Sequence, residues 1–160
     1  MRPVIITGIS PDGLGADAAR AISKHDPKLL ILASRSESSI SEVIAAIRAS
    51  SSSTTNIKPL LLDLSSQDSV RKAAAQVLDM TSVVDVLINN AGVMMTPEFK
   101  ATPEGVEWHF GINHLGHFLF TNLIIPTLLK APIGARIVNV SSNAHRATGV
   151  NFEDVNFQVC

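Results

Sequence analysis

The chain has no tyrosine, one tryptophan and one cysteine in 160 residues, and only 17% of it is charged. Without tyrosine there is no phenol to act as an acid or base. With Cys160 alone there can be no disulfide framework, so a reducing, cytoplasmic setting is expected. The net charge of −1 leaves no basic field for nucleic acid or an anionic membrane surface. Long hydrophobic runs are lacking too. The longest, "FLFTNLIIPTLL", is broken by Thr121, Asn122 and Pro126 and falls short of the ~20 residues of a membrane span. The opening "MRPVII" reads as the start of a strand, so no signal peptide is expected there.

Apolar residues make up 46% of the chain. A chain of this length buries roughly 70% of its unfolded surface, which suits a single domain over residues 1–160. Apolar runs at 3–7, 29–33, 58–62, 84–88 and 136–141 are rich in Val, Ile and Leu, the pattern of strands buried on both faces. Helical patterns lie between them. One places Leu14, Ala18, Ala21 and Ile22 on a face; the next places Ile40, Val43, Ile44 and Ile47. Ser66 is positioned to cap a helix reaching Asp79, and a longer helix is expected from about Gly111 to Lys130. "SSSTTN" at 51–56 reads as a loop. The alternation predicts an α/β fold, a doubly wound parallel sheet with its ligand site at the carboxyl ends of the strands.

The turn between the first strand and the first helix is rich in glycine: Thr7-Gly8, then Gly13-Leu14-Gly15. Such a turn aims backbone N–H groups at an anion, and the helix dipole adds to the attraction. Pro11-Asp12-Gly13 is also ordinary turn chemistry. No Gly-Lys-Ser/Thr follows, against a P-loop, and no Gly-x-Ser-x-Gly elbow is present, against a serine hydrolase. The second strand ends in Ser34-Arg35, where an acid would favour NAD and an arginine accommodates a 2′-phosphate. A solvated surface arginine is the plain alternative. His109, Asn113 and His117 are spaced i, i+4, i+8, and no carboxylate stands at a spacing that would complete a metal site. Packing or surface roles are expected for these histidines.

"TGISPDGLG", "LLLDLSS", "NNAGVM", "FGINHLGHF" and "RIVNVSSNAH" occur in this order. Together they resemble the short-chain dehydrogenase/reductase family, and most of all its branch of retinol dehydrogenases, protochlorophyllide reductases and WW-domain oxidoreductases. The resemblance implies a Rossmann fold, NADP as cofactor, and a small-molecule alcohol or carbonyl substrate. It implies cofactor contacts from Thr7, Gly8, Gly13, Leu14, Gly15, Ser34, Arg35, Asp63, Leu64, Asn90, Ala91 and Gly92. It assigns catalytic roles to Asn113, which holds a water of the proton relay, and to Ser142, which hydrogen-bonds the substrate carbonyl.

Two departures stand out. The family spacing is T-G-x-x-x-G-x-G, whereas four residues separate Gly8 from Gly13, so the turn is expected to bulge. The family's Tyr-x-x-x-Lys is missing, and with it the last strands and helices of the fold: the sheet is expected to be incomplete on its carboxyl-terminal side. His145, three residues past Ser142, is not expected to replace the tyrosine. The expectation is a reductase by descent with little activity of its own. The rival is a non-enzymatic dinucleotide-binding module that pairs with a full-length relative, and homo-oligomers are also allowed. Val159-Cys160 can be encoded by GTATGT, a common intron opening, so a retained intron or a misread gene boundary is expected, with a truncating mutation or a deliberately cut chain as the plain alternatives. Sequencing transcript and gene past the last codon should then show a downstream frame that encodes Tyr-x-x-x-Lys; no such frame would overturn this.

Overall fold

A computed structural model describes residues 2–50, 54–147 and 149–157. Cys160, the Val159-Cys160 ending and Ser51 to Ser53 of the serine-rich loop lie outside the described residues. Five strands form one sheet: β1 (Pro3–Thr7), β2 (Leu29–Ser34), β3 (Ile57–Leu61), β4 (Val86–Asn89) and β5 (Arg136–Asn139). Their order is β3-β2-β1-β4-β5, and every pairing is parallel. The helices α1 (Leu14–Ser23), α2 (Glu37–Ser50), α3 (Gln67–Met80) and α4 (His117–Leu128) fill the crossovers. This is the doubly wound sheet that the alternating pattern predicts. The order reverses between β1 and β4, and a ligand crevice opens at such a switch point.

Side chains alternate across a strand, so each central strand feeds two cores. Val4 and Ile6 join Leu30 and Leu32 beneath Ala16 and Ala19 of α1 and Ile40, Val43 and Ile47 of α2. Ile5 and Ile31 face the other way, with Leu87, against Val70, Ala73 and Val77 of α3 and Phe120 and Ile124 of α4. Ser66 caps α3, its side chain accepting the Ser69 amide. Among the described residues no helix is long and apolar enough to cross a membrane.

Three expectations need correction. In α1 the buried residues are Gly15, Ala16, Ala19 and Ser23, whereas Leu14 is 74% exposed and Ala21 is exposed. Small side chains let this helix lie close on the sheet; of the expected face, Ala18 and Ile22 are partly buried against the core, while Leu14 and Ala21 are not. The long helix is two elements: a π-helical run, Phe110–Gly116, continues directly into α4. Burial on both faces holds for β1 and β2 but not at the edges. In β3, Lys58, Pro59 and Leu61 are exposed, as suits a proline-bearing edge strand. All four residues of β5 are exposed.

That second edge is apolar. Ile137, Val138 and Val140 are about half exposed; Phe118, Leu129 and Ile133 are also exposed. An uncovered apolar edge strand is a template for another chain. The isolated 160-residue chain should therefore self-associate, eluting from a sizing column well above its 17.0 kDa monomer mass. Ile137→Lys with Val138→Lys should shift it toward monomer; a sharp monomer peak without these changes would contradict the argument.

Candidate functional site

The site begins where β1 ends. Gly8 has φ +77°, and a Cβ there would lie 2.5 Å from Ala91 Cα. Only glycine allows both the left-handed backbone and this approach of β1's end to the segment after β4. A Cβ on Gly15 would lie 2.5 Å from the Gly8 carbonyl oxygen, so the first turn of α1 sits directly on the glycine turn. The extra residue is absorbed in a β-turn: the Gly13 amide donates to the Ser10 carbonyl at 3.0 Å, with Pro11 in its second position. Arg20 reaches back from α1, donating to the Pro11 carbonyl at 2.9 Å while it pairs with Asp17 at 2.8 Å.

Thr7 joins this turn to β4 and α4. Its hydroxyl oxygen accepts the amides of Asn90 and Ala91, both at 3.0 Å, and lies 2.8 Å from His117 Nε2. The Asn90 side-chain amide donates to the carbonyls of Thr7 and Gly8. The Asn89 amide donates to Asn139 on β5, so the two adjacent asparagines brace β4 against both its neighbours.

At the ends of β2 and β3, Ser34 accepts weakly from the Ser36 amide, and Arg35 is exposed and takes part in neither ion pair found among the described residues. Asp63 Oδ1 accepts the amide and the hydroxyl of Ser65, which turns the chain into α3. Thr7, Gly8, Gly13, Leu14, Ser34, Arg35, Asp63, Leu64, Asn90, Ala91 and Gly92 all line one cavity of about 430 Å³. Gly15 is buried against the Gly8 carbonyl and does not line it. A second hollow beyond Arg35 is lined by Met94, Phe99, Lys100 and Trp108, with the Lys100 ammonium 3.5 Å above the indole.

Neither catalytic candidate lines the main cavity. Asn113 borders it: its side chain accepts the Val93 amide at 2.8 Å and donates to the Val93 carbonyl at 2.9 Å, holding the chain after Gly92. Ser142 is exposed past β5 and accepts the Ala144 amide, capping the short helix Asn143–Arg146. His145 Nδ1 is tied to the Ser142 carbonyl.

The histidine stripe divides. Glu107 does reach it: one carboxylate oxygen lies 2.7 Å from His109 Nδ1 and accepts the His109 amide, and the other accepts the Phe110 amide. Partial burial pulls the Glu107 carboxyl up, but these amides and the imidazole hold it below its ordinary value. His117 is 6% exposed, neither a surface residue nor simple packing. Spacing along the helix gave no sign of this, because its partner Thr7 is 110 residues away.

The fold and the cavity define a doubly wound α/β domain with a ligand crevice at its switch point. A sequence model described as short chain dehydrogenase matches residues 2–153, and the chain belongs to that family. It is 40% identical over 157 residues to the human protein named retinol dehydrogenase 13, covering 98% of this chain and 46% of that one. It is 37% identical to oxidoreductase fscI of Fusarium equiseti, covering 96% and 60%. The chain thus spans about half the length of the relatives it matches. Among solved structures it is similar to a metagenomic short-chain oxidoreductase in complex with NADP, with TM-score 0.75, 26% identity and 89% of this chain and 62% of that one covered. It is equally similar to a short-chain dehydrogenase from Sphingobium yanoikuyae in complex with NADPH, with TM-score 0.75, 26% identity and coverage of 92% and 56%.

Because Gly8 meets both a backbone constraint and a close contact, Gly8→Ala should destabilise the fold by about 2–4 kcal/mol. Denaturant unfolding measures this; a change below about 0.5 kcal/mol, the range of ordinary surface substitutions, would refute the account.

Proposed function

We propose that residues 1–160 form the NADP(H)-binding domain of a short-chain oxidoreductase that interconverts a small alcohol and its carbonyl. The observation that carries this reading is the single cavity that gathers the glycine turn, Ser34-Arg35, Asp63-Leu64 and Asn90–Gly92. The residues fit the cofactor. The turn comes close enough to the backbone of Ala91 that any side chain on Gly8 would clash, and the amides at the start of α1 suit a pyrophosphate. No acid follows β2; Arg35 faces the cavity instead, which favours a 2′-phosphate. The NADP and NADPH complexes of similar proteins support the same cofactor.

When bound, NADPH supplies the hydride for the carbonyl carbon. Ser142 accepts the Ala144 amide and keeps its own proton to donate toward a carbonyl oxygen. Asn113 holds Val93 and so the edge of the cofactor cavity. No tyrosine is present to deliver the proton, a loss worth roughly 10²–10⁴-fold in rate. Activity of these 160 residues alone is therefore low, and the compartment that suits the reading is the cytoplasm. The exposed apolar surface of α4 and β5 favours a second reading, a dinucleotide-binding module that pairs with a full-length relative.

Titration of NADPH fluorescence should give tighter binding of NADPH than of NADH by about tenfold, ~1.4 kcal/mol. Arg35→Asp should reverse the order; equal affinities in the unmodified chain would sink the role given to Arg35. Carbonyl reduction across a panel of aldehydes and ketones should stay near background. Robust turnover that Ser142→Ala abolishes would mean that another acid serves.

A further inference from the structure

Thr7 Oγ1 accepts two backbone amides, from Asn90 and Ala91, which fills its lone pairs. Its proton must then be given away. His117 Nδ1 lies 3.2 Å from the Asn113 carbonyl, which can only accept, so Nδ1 carries the imidazole hydrogen. That leaves Nε2 bare and 2.8 Å from Thr7 Oγ1, placed to take the hydroxyl proton. Each partner fixes the state of the next. A run of bonds joins Asn113, His117 and Thr7 to the amides behind the cofactor cavity.

We infer that His117 is a positioning residue for cofactor binding: by accepting the Thr7 hydroxyl it fixes the oxygen that holds Asn90 and Ala91 against the glycine turn. The inference rests on the cofactor reading above and adds a residue that does not line the cavity. It requires a neutral imidazole. A protonated ring would point a second N–H at an oxygen already filled, and the Thr7 hydroxyl would be left with the Ile88 carbonyl at 3.5 Å. Burial lowers the His117 pKa, opposed by the bond to the Asn113 carbonyl and assisted by the charge of His114. The strands on either side, β1 and β4, carry no ionisable side chain. The charged residues of α3, which packs on α4, are Asp68, Arg71, Lys72 and Asp79, all exposed.

The sign follows. Because the folded-state pKa lies below the ordinary 6.5, the stability this network gives is complete above 6.5. It is lost as pH falls below that value and through the folded-state pKa. The test uses His117→Gln, whose side-chain oxygen can accept the Thr7 hydroxyl but does not titrate, and His117→Phe, which cannot accept it. At about pH 8, NADPH affinity should be near that of the unmodified chain for His117→Gln and about tenfold weaker for His117→Phe. Between about pH 8 and pH 5.5 the unmodified chain should lose more affinity than His117→Gln, the titration of the cofactor phosphate being common to both. Thermal melts over the same range should show a larger fall in Tm for the unmodified chain than for His117→Gln. Full affinity in His117→Phe, or superimposed pH profiles in the unmodified chain and His117→Gln, would overturn the inference. Should the unmodified chain bind no NADPH, the cofactor reading fails, and the melts still decide whether His117 holds Thr7.

Discussion

The carboxyl ends of β1 and β4 must lie almost in contact, and most of the site depends on that approach. Gly8 has no room for a side chain against Ala91, and the Thr7 hydroxyl collects the two amides that follow β4. Where the backbones come this close, each amide turned away from the sheet needs a partner from the opposite segment. Thr7 and Asn90 supply those partners to one another: the Thr7 oxygen takes backbone amides, and the Asn90 amide group takes the carbonyls of Thr7 and Gly8. An apolar residue at either position would leave buried polar groups unsatisfied, at about 1–3 kcal/mol each.

The same constraint explains how the inserted residue is tolerated. The turn cannot expand toward β4, so it grows outward as the β-turn from Ser10 to Gly13. The Gly13 amide is then committed to Ser10. The next amides, of Leu14 and Gly15, lie in the first turn of α1, where a helix has no partners of its own to offer them. An anion at this end would meet those two groups. Arg20 restrains the far side of the added turn through Pro11, and Asp17 keeps its charge partly neutralised.

Much of this architecture was legible because buried parallel strands are written locally. The runs that became β1 and β2 carry no polar residue before their last position, and the α2 face of Ile40, Val43, Ile44 and Ile47 is buried as its spacing indicates. The face of α1 was legible only in part, Ala18 and Ile22 packing on the core as expected: where size decided, Ala16 and Ala19 turn inward and Leu14 turns to the cavity. The π-helical run ahead of α4 left no trace in apolar spacing. The histidine stripe divides, His109 meeting Glu107 and His117 meeting Thr7. The contact between His117 and Thr7, 110 residues apart, has no periodic signature, and only the folded chain reveals it.

The two sides of the crevice differ in how well they are supported. The side built by β1, β2 and β4 has covered strands, a braced glycine turn and the hydrogen bonds that join Thr7 and Asn90. The side built by β5 is a strand with every residue exposed, followed by Ser142 on a short helix with no buried residue. A group that binds cofactor needs only the first side. A group that donates a proton must be held to within a fraction of an ångström, and that demands packing behind it. Ser142 caps its short helix through Oγ but is itself exposed, so the catalytic role proposed for it would need packing that β5 does not provide. On the reading proposed above, cofactor binding and proton delivery are separable by strand, with the division falling between β4 and β5.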